Sequence, residues 1–186
     1  MKLITTVIAF SLLSTTPLYA KHSSMNQSEH MKHNKMMKKD NKINRKELSA
    51  QSKQEVLAVL EANEKLHKVF FDRSSSKIEP AAQVVISAIN NISDKDISNK
   101  LQFSKKKLAE LKNDNSDMND EDYHLFNMAL AHIINNYNLE SEYNIYSCPM
   151  SKKKWIQNSK KDKGIIYNPY DSETMPHCGS ILSKTI

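Results

Sequence analysis

Residues 119–137, NDEDYHLFNMALAHIINNY, are the stretch whose reading decides the fold. Tyr123, Phe126, Leu130, Ile133, Ile134 and Tyr137 recur at helical spacing and form one apolar stripe. The acids at Asp120, Glu121 and Asp122 suit a helix N-terminus, where the backbone dipole favours negative charge. A helix with one greasy side must bury it, so the neighbouring segments are expected to supply partners.

Three such segments precede it. Ser52-Lys53-Gln54-Glu55 has the form of a capping box. It opens a stripe of Val56, Leu60, Phe70 and Phe71, with Val59 and Leu66 on its edge. Glu79-Pro80 starts a second helix, proline being tolerated in a first turn. Its inner face is Ala81, Val85, Ala88, Ile89 and Ile92. A third, over 94–112, buries Ile97, Leu101, Leu108 and Leu111. Four amphipathic helices on short polar loops predict an all-α fold, an antiparallel four-helix bundle. The only glycines, Gly164 and Gly179, lie late in the chain, which argues against many tight β-turns and Gly-rich nucleotide loops.

The pattern changes at Tyr143. Residues 143–150 look extended or irregular, 165–167 suggests a short strand, and Asn168-Pro169 and Met175-Pro176 mark turns. The expectation is an irregular C-terminal appendage on the bundle. It holds both cysteines, Cys148 and Cys178. With Met150, Met175 and His177 they compose a soft-metal set if the thiols are free. In an oxidising compartment the same pair forms a disulfide, and both readings stand at this point.

At the other end, Met1-Lys2, an apolar run over 3–13 and Leu18-Tyr19-Ala20 are the parts of a cleavable signal peptide, residues 1–20. The run is too short to span a bilayer, so no integral membrane segment is expected after processing. A periplasmic or secreted protein follows. Residues 21–46 have almost no apolar side chains except methionine and cannot offset chain entropy, so a disordered arm is expected, with the folded domain over 47–186.

That arm carries His22, Met25, His30, Met31, His33, Met36 and Met37. Thioethers are soft donors that select Cu(I) and, by the same softness, Ag(I); imidazole suits Cu(II) and other divalent ions. Methionine is a rare residue, and its clustering where there is no core to fill points to metal capture; the plain alternative is a lysine-rich linker. A secondary set, His124, Met128 and His132, lies along one side of the helix over 119–137, where the plain alternative is three residues on a polar face. His67 falls on an apolar face and reads as a satisfied core histidine.

The net charge of +6 is nearly all lysine, with Arg45 and Arg73 the only arginines, so nucleic acid is not an expected partner. No nucleophile elbow or C-x-x-C motif is present, and no enzyme is expected.

Tyr146-x-Cys148-Pro149-Met150, Trp155, Asn168-Pro169-Tyr170, Met175 and Cys178-Gly179 resemble a bacterial exported domain of undefined function. That domain also occurs fused to the adaptor (membrane-fusion) proteins of copper and silver efflux systems. The resemblance covers roughly residues 52–180. Lys152-Lys153-Lys154 and Asp171-Ser172-Glu173 depart from the family pattern in its loops. The resemblance implies heavy-metal handling in the periplasm, with an efflux adaptor or another envelope protein as the expected partner. The expected function is a periplasmic copper-binding protein; the alternative is a disulfide-stapled helical interaction module of the cell envelope.

Overall fold

The computed structural model describes residues 44–183. Helix α1 spans Ala50–Phe71. Its N-cap is Ser49, whose Oγ accepts from the Ser52 N–H at 3.0 Å. The cap expected at Ser52 therefore sits one turn earlier, and Ser52 itself is buried inside the helix. A 3-10 turn at Ser75–Lys77 leads into α2, Ile78–Asn90, with Pro80 in its first turn. Ile78, Ala82, Val85, Ile89 and then Ile92 are buried, while Ala81 and Ala88 are half-buried.

Helix α3, Lys95–Glu110, is capped by Asp94, and its Ile97, Leu101 and Leu108, with Leu111 after it, are all buried. Helix α4, Asp117–Asn136, is capped by Ser116. Buried Asn119 closes the α3–α4 loop by hydrogen bonds to the backbone of Lys112 and Asp114. All six stripe residues expected for this helix are at most 3% exposed. Among the described residues no helix is long and apolar enough to cross a membrane.

The helices pack in sequence, α1 on α2, α2 on α3, α3 on α4. Between α1 and α4, contact is made by large side chains. The Phe70 and Tyr123 rings stack with centroids 4.2 Å apart, and the Tyr123 hydroxyl donates to Asn63 Oδ1 at 3.0 Å.

The remainder overturns the all-α expectation. Strands β1, Tyr143–Ser147, β2, Lys154–Asn158, and β3, Ser180–Ser183, form an antiparallel sheet of order β2-β1-β3. The fold is helical with a sheet, and the tail is part of its core rather than an irregular appendage: Tyr143, Ile145, Tyr146, Trp155 and Ile156 are as buried as any helical residue and join one apolar cluster with them. In register, Tyr146 faces Trp155 across the hairpin, their rings 5.9 Å apart.

Residues 165–167, expected as a strand, are not one. Side chains take up their backbone groups. Gln157 accepts from the Tyr167 N–H and donates to the Ile165 carbonyl, while His67 and His177 face the carbonyls of Tyr167 and Ile166. Before α1, Lys46 is held to the end of α4: its N–H donates to Asn136 O at 2.8 Å and its carbonyl accepts from Asn138 N–H at 2.9 Å.

Candidate functional site: the disulfide-closed tail

Strand β2 lies on the outside of the sheet, yet the helices cover it. Three backbone groups on its outer side find side-chain partners. The Ile156 N–H donates to Asn127 Oδ1 at 3.0 Å, and the Lys154 N–H to His124 Nδ1 at 3.1 Å. The Lys154 carbonyl accepts from the Tyr170 hydroxyl at 2.9 Å. A sheet edge that would otherwise offer free donors and acceptors is sealed in this way. Asn127 is fully buried on α4 and also donates to the Tyr123 carbonyl at 2.9 Å, which fixes its amide orientation.

The sulfur-bearing loops are built onto this frame. Cys148 directly follows β1, and its backbone pairs with Lys153 and Lys152 to close the β1–β2 turn. Fully buried Asn168 organises the second loop. Its N–H donates to the Pro176 carbonyl at 2.8 Å and its Nδ2 to the Met175 carbonyl at 3.2 Å, while its Oδ1 accepts from the Tyr170 N–H. This loop delivers Cys178 to Cys148, and the two are disulfide-bonded, Cα to Cα 5.4 Å. Gly179 follows, and a Cβ there would lie 2.7 Å from the Trp155 ring, so only glycine admits the indole. The motif residues Trp155, Asn168, Tyr170 and Gly179 thus each have a structural task.

The disulfide changes the ligand set expected here. Two sulfurs bonded to each other are not thiolates, so Cys148 and Cys178 offer no anionic donors in this state. Met150 is 71% exposed in the β1–β2 turn. Met175 is half-buried in the loop before Cys178, and His177 is exposed with Nδ1 2.7 Å from the Ile166 carbonyl. The secondary set separates by environment: His124 is half-buried against β2, whereas Met128 and His132 are exposed, His132 lying beside Asn136. His22, Met25, His30, Met31, His33, Met36 and Met37 lie outside the described residues. Among the described residues no group of three or more His, Cys, Asp or Glu side chains is disposed to hold a metal ion.

Two electrostatic features flank the sheet. At the start of α4, burial raises the Asp120 pKa to about 6 despite Arg73, whose Nη1 is 3.9 Å away. Glu121 pairs with Lys153, whose ammonium sits 5.7 Å from the Tyr170 ring centroid. On the far side, a cleft of about 310 Å³ opens between α1 and the chain after β2, lined by charged side chains and by Phe71 and Tyr167. Buried His67 lies at this cleft, and its Nε2 donates to the Tyr167 carbonyl at 2.8 Å. Burial pushes its pKa below the ordinary imidazole range, against the raising effect of the Tyr167 and Ile156 carbonyls that face its two ring nitrogens.

Sequence reasoning passed over Asn127 and Gln157, and took Asn168 only as part of a turn and a motif. The available signal was an asparagine inside the apolar stretch of α4, since a buried amide needs a partner from elsewhere in the fold. No protein-family model matches the chain, and neither does any curated protein or solved structure.

Proposed function

We propose that this chain is an exported soft-metal-binding protein that handles Cu(I), and Ag(I) by the same chemistry, at the cell envelope. The observation that carries this reading is the run His22, Met25, His30, Met31, His33, Met36 and Met37. It holds four methionines and three histidines within sixteen residues that contain no other large apolar side chain. Soft thioethers without a core to fill are ligands in search of a soft ion. The signal-like residues 1–20 and the tail's resemblance to a domain fused to copper and silver efflux adaptors support the same assignment, with such an adaptor as the receiving partner. On this reading the ligands lie before the folded domain, and the domain itself serves as the docking body.

The Cys148–Cys178 bond favours a second reading, an interaction module of the envelope that binds no metal tightly. Competition of the oxidised mature protein against a Cu(I) chelator at pH 5 and pH 7 separates the two. Replacing Met25, Met31, Met36 and Met37 by isoleucine is expected to remove the binding that persists at pH 5, because thioethers do not titrate. Replacing both cysteines by serine is expected to change little. Wild-type protein that binds no tighter than an unrelated lysine-rich peptide would leave the interaction module as the function.

A further inference from the structure

His67 stands in the last turns of α1, within Leu66-His67-Lys68-Val69-Phe70-Phe71. It is 5% exposed, and its ring meets two main-chain carbonyls that belong to different segments. Nε2 lies 2.8 Å from the Tyr167 carbonyl in the chain after β2, and Nδ1 lies 3.4 Å from the Ile156 carbonyl in β2 itself. The shorter contact fixes the proton of the neutral ring on Nε2, so Nδ1 turns a lone pair toward Ile156. A neutral ring therefore makes one good bond, and that bond fastens Tyr167 to α1. Phe71 adds an edge-to-face contact with the Tyr167 ring, centroids 5.0 Å apart. The next residue is Asn168, which shapes the loop that delivers Cys178.

A second proton on the ring would place a cation here. The Ile156 carbonyl then accepts from Nδ1, but at 3.4 Å this is a weak return for an imidazolium taken out of water. On α1 the Glu64 carboxylate attracts the charge, yet Glu64 is already held by the Tyr143 hydroxyl of β1 at 2.8 Å and by Lys161 at 3.1 Å. Lys65 and Lys68 line the adjoining cleft, Lys68 paired with Asp72 at 2.8 Å. From the chain after β2 comes half-buried Asp162, and from the tail His177, whose ring stands 6.2 Å from that of Tyr167. Burial outweighs the carbonyls and Glu64, so the ring is neutral where it stands. The cleft of about 310 Å³ beside it offers a charged ring water and the carboxylates of Asp72 and Asp162.

We propose that His67 is a proton-operated latch on the chain that enters the disulfide loop. Neutral, its ring fastens that chain to α1; protonated, it leaves the Tyr167 carbonyl for the cleft and lets the chain go. The unfolded polypeptide takes up a proton on this imidazole near pH 6.5, the folded one only at lower pH. The latch therefore contributes its full stability above about pH 6.5 and loses it as pH falls from there toward the folded value. Within that window the contribution of His67 to the folding constant falls by up to about tenfold per pH unit.

His67→Gln keeps a side-chain N–H donor and does not titrate. Urea unfolding of the oxidised, mature full-length chain between pH 7 and pH 5 is expected to show a smaller acid-induced loss in this variant than in wild type. His124 and Asp120 titrate in both proteins and drop out of the difference. A local readout distinguishes a latch from a general loss of stability. Hydrogen-exchange protection of the Tyr167 and Asn168 amides, corrected for intrinsic rate, is expected to fall in wild type from pH 7 to pH 5 relative to the α2 and α3 amides. In His67→Gln it is expected to hold. Imidazole NMR of wild type decides the matter even where the variant does not fold: an Nε2–H tautomer and a titration midpoint below about pH 6.5 are expected. Equal pH dependence in the two proteins, Tyr167 protection that holds or rises in acidified wild type, or a midpoint at or above that value each overturns the proposal. Because no metal is added, the outcome is independent of the copper-binding reading.

Discussion

The helices and the sheet are held by different kinds of contact. In α1 to α4 each backbone bond is local, and apart from Asn63 with Tyr123 and the loop-closing Asn119 the buried side chains are mostly apolar residues on one face. In β1 to β3 the short strands depend on particular partners: Asn127 for the Ile156 N–H, Tyr170 for the Lys154 carbonyl, Gly179 for the Trp155 ring, Cys178 for Cys148. A helical layer of this kind tolerates exchange of one aliphatic residue for another. The sheet does not, because each of those contacts has a single chemical solution.

The strongest way to break this comparison is to truncate one large core residue on each side. Trp155→Ala and Phe126→Ala are each expected to cost about 3–5 kcal/mol in denaturant unfolding, because both side chains are fully buried in one cluster. A cost below about 1 kcal/mol for Trp155→Ala alone would make the sheet an appendage after all. Reducing Cys148–Cys178 comes next. Its loop of 30 residues corresponds to about 3–4 kcal/mol on the chain-entropy account. The unfolding midpoint with and without reductant measures it, and a cysteine-to-serine pair is expected to reproduce the reduced value.

Asn127→Ala tests the sealing of β2. It leaves the Ile156 N–H buried without its acceptor, at about 1–3 kcal/mol. Hydrogen exchange is expected to quicken at Ile156 while the α2 and α3 amides hold their protection. Unchanged exchange at Ile156 would show that the asparagine is not what closes this edge. The smallest effect belongs to Ser104, only 1% exposed on α3, whose Oγ has no hydrogen-bond partner among the described residues. Ser104→Ala is expected to be neutral or stabilising by up to about 1 kcal/mol, since it removes an unsatisfied buried hydroxyl. A marked loss of stability would reveal an acceptor that the geometry does not show.

The same contrast explains what could be read from the chain. Helical stripes announce themselves because burial repeats every 3.6 residues, and Tyr123, Phe126, Leu130, Ile133 and Ile134 are all where that period puts them. The strands stayed hidden because Tyr143–Ser147 and Lys154–Asn158 bury Asn144, Gln157 and Asn158 alongside their apolar residues, so the alternation of period two is lost. β3 is only four residues long. At the candidate site, the sulfur atoms and His177 were visible as residue types. Whether the cysteines bond each other or wait as thiolates depends on the Asn168 loop that brings them together, and that is a tertiary fact.

The strand order has a consequence for the timing of folding. β1 precedes β2 and β3 in the chain but lies between them in the sheet. As the polypeptide lengthens, α1 to α4 can close on one another early, and β2 can join β1 as a hairpin soon after. The second side of β1 and the sulfur partner of Cys148 arrive only with the segment from Cys178 to Ser183. A chain halted before that segment has an unpaired Cys148 thiol and a β1 whose second side has no partner strand.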